Sequence, residues 1–411
     1  MFEAQGITLH AARIASVLAD IDFRDGHPAA AVARLEAALE ALEGIEPDEV
    51  VAEVAAQLGR FLVLNRQYDL AAPRLEVALE LAEALRLPEI FAQALTSKSV
   101  FYTYRNRLEE GRILLEGALE KALAGDFHAA AVRAFNNLAV LLESSDRYAE
   151  AVDLTDRALE LARRIGDRVW EGIFLGGPMS GLTLLGRWDE ALARAEEFAA
   201  VGGHGIDAAL EAPTVEIFCA RGDIAAARAW LDENAAMRTN EDVQTRFGYL
   251  IAEAHTLRAE GRLREALKEA EAALAGHSTL GITFLTVKQG LVEALEASFA
   301  LGETDKVCEL LTLVDELRPG ERPPLLEAHA RRFHAKLAGD EDEFVAAADR
   351  FRTLSLRFWL AVTLLEHGEL LVEQALGDEA APLLGEAREI FEKLEARPWL
   401  ERVDAHAEVP A

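Results

Sequence analysis

Side chains able to do chemistry are plentiful in this chain, and their spacing removes most of what they could do. Ten histidines are scattered along it, and none forms the His-x-x-x-His or Glu-x-x-His pair that sets two metal ligands on one helix face. His329 and His334 stand five apart and share a face poorly. No metal site is expected. Cys219 and Cys308 lie in no ligand spacing, so both are expected to be small core residues. The 72 aspartates and glutamates will bring some pair to catalytic distance by chance alone. They assign no catalytic residue, and the chain is not expected to be an enzyme. The run Leu175-Gly176-Gly177-Pro178-Met179-Ser180-Gly181 has the glycine content of a phosphate loop. No strand precedes it, no lysine follows it, and no Gly-x-x-x-x-Gly-Lys-Ser/Thr stretch occurs, so no cofactor is expected.

The formal charge is −30, which argues against direct nucleic-acid binding, because contact with a phosphate backbone needs clustered Lys and Arg. The acidity reads as a solvated outer face. No apolar run approaches the roughly 20 residues that span a bilayer, and Met1 to His10 lacks a charged start followed by an apolar stretch. A cytoplasmic protein without a membrane partner is expected.

The elements that would position any site come from a repeat. A small or polar turn residue is followed two places later by an aromatic, aliphatic or other side chain and, in most copies, by alanine three places after that. Gly186-Arg187-Trp188-Asp189-Glu190-Ala191, Gly261-Arg262-Leu263-Arg264-Glu265-Ala266 and Asp146-Arg147-Tyr148-Ala149-Glu150-Ala151 are its clearest forms. The turn residues are Gly26, Arg66, Asn106, Asp146, Gly186, Gly222, Gly261, Gly302, Gly339 and Gly377, spaced 36 to 41 residues apart. A fixed period in that range means a solenoid, whose core is buried between neighbouring repeats. Alanine, leucine, glutamate and arginine dominate, so the solenoid is helical.

Within the fourth repeat Ala134, Leu138, Leu141 and Leu142 share one face of a first helix, and Ser144 and Ser145 help form the turn. Ala151, Leu154, Ala158, Leu159 and Leu161 make the buried stripe of a second helix. Asp146 and Asp189 are placed to cap or favour the second helix. The fold expected is an all-α, right-handed α-solenoid of about ten antiparallel helix pairs. Repeats one to five cover about 8–201, repeats six to ten about 206–396, and a C-terminal capping helix about 397–408. Pro28, Pro73 and Pro382 fit the first turn of a second helix, and Pro47, Pro88, Pro319, Pro323, Pro324 and Pro398 fall between helices. Pro410 is in the tail. Pro178 and Pro213 break the frame inside the first helices of repeats five and six.

Asn136-Asn137-Leu138-Ala139, Asp146-Arg147-Tyr148-Ala149-Glu150-Ala151 and Ala158-Leu159-Glu160-Leu161-Ala162 together resemble a tetratricopeptide repeat in its long, roughly 40-residue form. Armadillo and HEAT arrays share the period but lack this turn-aromatic-acidic-alanine signature. The stretch Arg163-Arg164-Ile165-Gly166-Asp167-Arg168 is similar to linkers in the arrays of maltose-activator-type regulators and multidomain class III adenylate cyclases. The resemblance covers only the array, and neither their nucleotide-binding nor their cyclase part is present.

It implies that first helices line a concave groove, where side chains not needed by the core contact a ligand. In repeat four these are Arg133, Asn136, Asn137, Val140 and Glu143. Asn137 stands where peptide-binding members carry an asparagine that clamps a ligand backbone, and one amide can donate and accept together. Asparagines there also tie adjacent helices together. Arg60, Thr96, Thr103 and Tyr104 extend the surface on one side, and His255 and Arg258 on the other.

In repeat five, Gly176, Gly177, Pro178 and Gly181 fall where a first helix should run unbroken. Each glycine costs ~1 kcal/mol and an interior proline ~3 kcal/mol relative to alanine, so a kink or break is expected. It serves as an open floor for a ligand, as a hinge over 176–205, or as mere tolerance. Two functions follow: a non-catalytic interaction or sensor array for a protein, peptide or small effector in bacterial signalling or transcription regulation, or the C-terminal regulatory part of a larger ATP-dependent regulator or adenylate cyclase.

Overall fold

The computed structural model describes residues 2–24, 27–46, 48–203 and 208–407. Gly26, Pro47, His204, Gly205 and Pro410 lie outside them. Every regular element among the described residues is helical, in two compact units, Met1–Leu141 and Leu142–Ala411. The first contains α1 (Phe2–Arg24), α2 (Pro28–Ala41), α3 (Glu49–Leu64), α4 (Tyr68–Ala84), α5 (Pro88–Tyr104), α6 (Leu108–Ala124) and most of α7 (His128–Ser144). From α1 to α6 consecutive helices pack as pairs, and each pair packs on the next. Leu35, Leu58, Phe61 and Leu75 fill the space between them, with Phe23 stacked on Phe61 at 4.7 Å.

The second unit holds α8 (Tyr148–Ile165), α9 (Arg168–Gly176), α10 (Met179–Leu184), α11 (Trp188–Ala200), α12 (Pro213–Arg221), α13 (Ile224–Glu233), α14 (Val243–Ala259), α15 (Leu263–Leu274), the single-turn α16 (His277–Leu280), α17 (Leu285–Ala300), α18 (Thr304–Asp315), α19 (Pro324–Ala338), α20 (Glu341–Thr353), α21 (Arg357–Glu373), α22 (Gly377–Leu394) and α23 (Arg397–Ala407). In sequence order the helices make ten pairs, α9 and α10 sharing one place, and α23 follows them as the expected cap.

The turn residues of the motif end the first helix of each pair; they do not start the second. Arg66, Asn106, Asp146, Gly186, Gly222, Gly261, Gly302 and Gly339 are all left-handed, with φ between 57° and 83°. The next N–H reaches back over that residue to a helix carbonyl, as Gln67 N to Leu62 O at 2.8 Å and Arg187 N to Leu182 O at 2.9 Å. This closes the helix end by satisfying a carbonyl that has no intrahelical partner. Gly377 does not fit: Ala375 takes the left-handed position there, and Gly377 opens α22.

The arginine after the turn residue then pairs with the glutamate three places on: Arg147 with Glu150 at 2.7 Å, Arg187 with Glu190 at 2.8 Å, and Arg262 with Glu265 at 2.7 Å. Neither Asp146 nor Asp189 caps its helix, though Asp189 stands in the first turn of α11, where an acid favours the helix start. Arg147 and Arg187 occupy those caps without a side-chain bond, Asp189 pairs with Arg221, and Asp146 is buried among distant partners.

Three further expectations are corrected. Pro213 opens α12 after a single 3-10 turn at Ala208–Glu211, so it starts a helix. Pro73 and Pro382 are the sixth residues of α4 and α22, beyond the first turn. Cys308 is exposed, because it faces outward on α18, while Cys219 is half-buried. The kink at repeat five is present: α9 stops at Gly176 and α10 begins at Met179, with Gly177 and Pro178 between them. That segment lies inside the second unit, and the units divide between Leu141 and Leu142.

The second unit is also tied across long sequence distances. Trp188 lies 5.4 Å from Phe358, Arg221 Nε donates to Leu394 O at 3.1 Å, and a β-carbon on Gly222 would stand 3.2 Å from Pro398. Its early repeats therefore pack directly on its last ones.

Candidate functional site

First helices of successive repeats in the second unit carry charges of alternating sign. Glu216 is on α12, His255 and Arg258 on α14, Glu293 and Glu296 on α17, Arg332 and Lys336 on α19, Glu366 and Glu369 on α21, and Arg402 on α23. Arg258 grips Glu293 through two bonds of 2.8 and 2.9 Å, and His255 Nδ1 lies 3.0 Å from the same carboxylate. Arg332, fully buried, reaches Glu296 at 2.5 Å and Glu366 at 2.6 and 2.7 Å, where Lys336 joins at 2.6 Å. Arg402 closes the series on Glu369 at 2.6 and 2.5 Å. Buried charges persist only when paired in this way. Although burial alone would raise them, Arg258 and His255 hold Glu293 well below the usual carboxyl range, and Arg332 and Lys336 do the same for Glu296.

The first member of the series is different. Glu216 is buried and accepts no hydrogen bond among the described residues; its nearest cationic partner, His255 Nε2, is 3.9 Å away. That nitrogen is itself buried without a hydrogen-bond partner. Both groups line a cavity of about 390 Å³ with Cys219, Ala220, Arg258, Ala259, Phe358, Pro398, Trp399 and Arg402. The two ends of the charge series, Glu216 and Arg402, thus meet on one cavity. Helix α12 contributes Glu216 and Cys219 one turn apart, α14 contributes His255 and Arg258 at the same spacing, and α23 adds Trp399 and Arg402. Phe358 and Trp399 stand edge to face at 5.3 Å and form its apolar wall.

Burial raises the Glu216 carboxyl above its ordinary value, an effect that His255 offsets only in part. His255 is also raised: burial pulls it down, but the Glu293 and Glu216 carboxylates outweigh that pull. Burial pushes the Cys219 thiol up to about 12, which keeps it in the protonated, less reactive form. Among the described residues no group of three metal-ligating side chains gathers, and no helix is long and apolar enough to cross a membrane.

The residues singled out from sequence are distributed as follows. His255 and Arg258 come together on this cavity. Glu143 lies on the same unit beside Lys288, and burial pushes its carboxyl up to about 8. A β-carbon on Gly176 would stand 2.6 Å from Leu210, and one on Gly181 3.3 Å from Val152, so the glycines admit close packing by the chain itself. Gly177 and Pro178 form the step between the two short helices.

In the first unit, Arg60 pairs with Asp20 at 3.3 Å, and the half-buried Arg133 is affected by burial and by Arg60, with its Nε unpartnered. Thr96 and Thr103 spend their hydroxyls on carbonyls of their own helix at 2.9 and 3.1 Å. Asn137 does the same with Arg133 O at 2.8 Å. Asn136 is half-buried, Val140 exposed, and Tyr104 packs 6.0 Å from Tyr68.

Sequence reading missed Glu216, Phe358 and Arg402. A usable signal existed for one of them: Glu216 is the lone acid in the apolar stretch Pro213-Thr214-Val215-Glu216-Ile217-Phe218-Cys219-Ala220. Phe358 and Arg402 reach the cavity only through the long-range packing of the last repeats.

These features define the chain as an all-α, tetratricopeptide-like helical solenoid. Neither a protein-family model nor a curated protein matches the sequence. Among solved structures it is similar to a Rap protein complexed with competence and sporulation factor, at 13% identity and a TM-score of 0.50 over 94% of this chain and 99% of that one. The apo form of the quorum sensor NprR from B. thuringiensis gives 13% identity and a TM-score of 0.46 over 95% and 99%. Yeast Tom70 gives 13% and 0.30 over 97% and 96%.

Proposed function

We propose that this chain is a non-catalytic sensor or interaction array that holds a peptide segment or small effector against the inner faces of its first helices. One observation carries the reading: a cavity of about 390 Å³ built by first helices and the cap, containing a buried carboxylate and a buried imidazole nitrogen whose hydrogen-bonding capacity is unspent. Polar groups are buried unpaired at a cost of ~1–3 kcal/mol, which a ligand recovers by completing them. The fold shared with a Rap protein complexed with competence and sporulation factor supports a binding role. Signalling or transcription regulation, in a cytoplasmic setting, is the context that the resemblance to maltose-activator-type and cyclase-linked arrays favours. Attachment to a larger regulator is the second reading, favoured by the same linker resemblance.

The test is native mass spectrometry on the protein captured gently from its own cells. The polypeptide mass separates a free-standing array from part of a larger regulator. Ala259 lies exposed at the cavity rim, so Ala259→Trp plugs the site without entering the core. A non-covalent companion present on the unaltered protein and absent from the plugged one is expected. An unliganded spectrum in both, or the same companion on both, refutes the reading.

A further inference from the structure

The geometry points to a primary ammonium group, carried on an apolar or aromatic body, as the ligand of the cavity between α12, α14, α21 and α23, with Glu216 and neutral His255 Nε2 accepting its hydrogen bonds. This rests on the reading of that cavity as a binding site and names the chemistry it selects.

The choice follows from which charges are already used. Arg258 and Arg402 line the cavity, but each is held by two bonds to a carboxylate, Glu293 and Glu369. Glu216 alone among the cavity's charges accepts no hydrogen bond among the described residues, and it is buried. His255 Nδ1 is taken by Glu293, which leaves Nε2 as the second unspent atom, 3.9 Å from the Glu216 carboxylate. That separation is too long for a direct bond, and it lets one small donor group lie beside both atoms. An ammonium offers three donors and no acceptor, so it satisfies a carboxylate and an imidazole lone pair together. A carboxylate ligand would instead be set against Glu216. Phe358 and Trp399 supply the apolar wall for the remainder of the molecule, and aromatic faces also favour a cation. The net charge of −30 steers cations toward the protein.

Proton balance gives this ligand a signature. The groups facing His255 are Glu216 and Cys219 from α12, Arg258 from its own helix and Glu293 from α17; Arg402 lines the same cavity from α23. The Glu293 and Glu216 carboxylates raise His255 against the opposing pull of burial and Arg258, so the free protein keeps a proton on Nε2 to higher pH than an ordinary imidazole does. The ammonium takes that proton's place beside Glu216, and the proton leaves to solvent. Binding therefore releases a proton and tightens as pH rises through the titration of His255, which lies above the ordinary imidazole value, until the ligand itself loses its charge.

The experiment is calorimetry on the full chain with three probes: 2-phenylethylamine, its N-acetyl derivative, and the peptide Phe-Ala-Ala-Ala amide. The amine or the peptide is expected to bind about ten to a hundredfold more tightly than the neutral acetyl compound, with proton release that appears as a dependence of heat on buffer ionisation. Glu216→Gln, which preserves shape, is expected to abolish that preference. Binding of peptide without the free amine identifies a chain terminus as the source, and binding of both identifies the amine itself; either supports the proposal. Equal binding of the acetyl compound overturns it on unaltered protein, whatever the variant does, while leaving the binding-site reading intact. Unchanged preference in Glu216→Gln, or no binding of any probe at millimolar concentration, also overturns it, and the companion found by native mass spectrometry then decides the broader reading separately.

Discussion

Between residues 2 and 141 the described ion pairs stay at the surface: in Arg34–Asp22, Arg60–Asp20, Lys98–Glu76 and their neighbours no side chain is less than 22% exposed. From Leu142 onward charges are taken inside. Lys288 and Asp146 have no exposed side-chain surface at all, and Asp146 also accepts the Tyr148 hydroxyl at 2.6 Å and the Leu325 N–H at 2.8 Å. Lys288 completes itself on Glu143 O at 3.1 Å. The difference teaches where a repeat protein stops being one-dimensional. In the first unit each helix pair depends on its neighbours, as repeat arrays do. In the second, a turn residue of repeat four is fastened to α17 and α19, and the cavity is lined by the sixth, seventh and tenth repeats and the cap. Burial of charge costs free energy, and what it secures there is one specific long-range packing, within which unspent groups can be held for a ligand.

The sharpest way to break the contrast is to remove one member of the buried pair. Asp146→Asn keeps a residue that tolerates the left-handed conformation but leaves Lys288 without its counter-charge. The expected loss is about 3–5 kcal/mol, confined to the second unit. Hydrogen exchange should show faster opening beyond residue 142 and little change before it. Adding Lys288→Met should recover most of the loss, since an unpaired charge is worse than none. Uniform loosening of both units would contradict the contrast.

A smaller effect comes from pH. The carboxyl of Glu143 is moved from 4.5 up to about 8 on folding, chiefly by burial. Between those values the native state holds a proton that the unfolded chain does not, so the stability of the second unit falls as pH rises through this window, by at most about 1.4 kcal/mol per pH unit. Below 4.5 the sign reverses, because Glu293, held low by Arg258 and His255 against burial, must then be protonated. Denaturant midpoints measured from pH 4 to 9 should therefore peak near pH 5, and Glu143→Gln should flatten the alkaline side. A profile that Glu143→Gln leaves unchanged would remove Glu143 from the account.

Next in size are the helix ends. The first unit places Arg66, Arg86, Asn106 and Asp126 in the left-handed position at twenty-residue intervals, where the second mostly uses glycine. A side chain there costs about 1 kcal/mol. Arg86→Gly should stabilise the first unit by about that amount. Gly261→Ala should destabilise the second similarly, because open space surrounds Gly261 and only its φ of 77° resists. Melting curves followed by circular dichroism would register both.

These ends also explain what was legible. The repeat, the ten pairs, the cap and the break at Gly177-Pro178 follow from local rules, helix propensity and chain reversal, which act over about twenty residues and so are written in consecutive letters. Asp146 was legible as a turn residue but not as the anchor of Lys288, since 142 positions separate them. His255 and Arg258 could be placed on a first helix from the register alone. Their cavity could not, because Phe358, Trp399 and Arg402 arrive by packing between distant repeats, and Glu216 was one acid among 72.

The smallest expected effect probes the other face of the comparison. Asn137 donates to Arg133 O four residues back in its own helix, a bond that a half-exposed site replaces with water, and Asn136 is similarly half-buried. Asn136→Ala with Asn137→Ala should therefore lower stability by no more than about 1 kcal/mol, little enough that the melting temperature barely moves. Amine binding at Glu216 should be unaffected, because the cavity belongs wholly to the second unit. A larger companion retained by the unaltered protein but lost from this variant would mean that the first unit presents its amides to a ligand. Its surface-paired side chains and the cavity of the second unit would then be two binding surfaces with different chemistries. A marked fall in melting temperature instead would make the two asparagines ties between neighbouring helices.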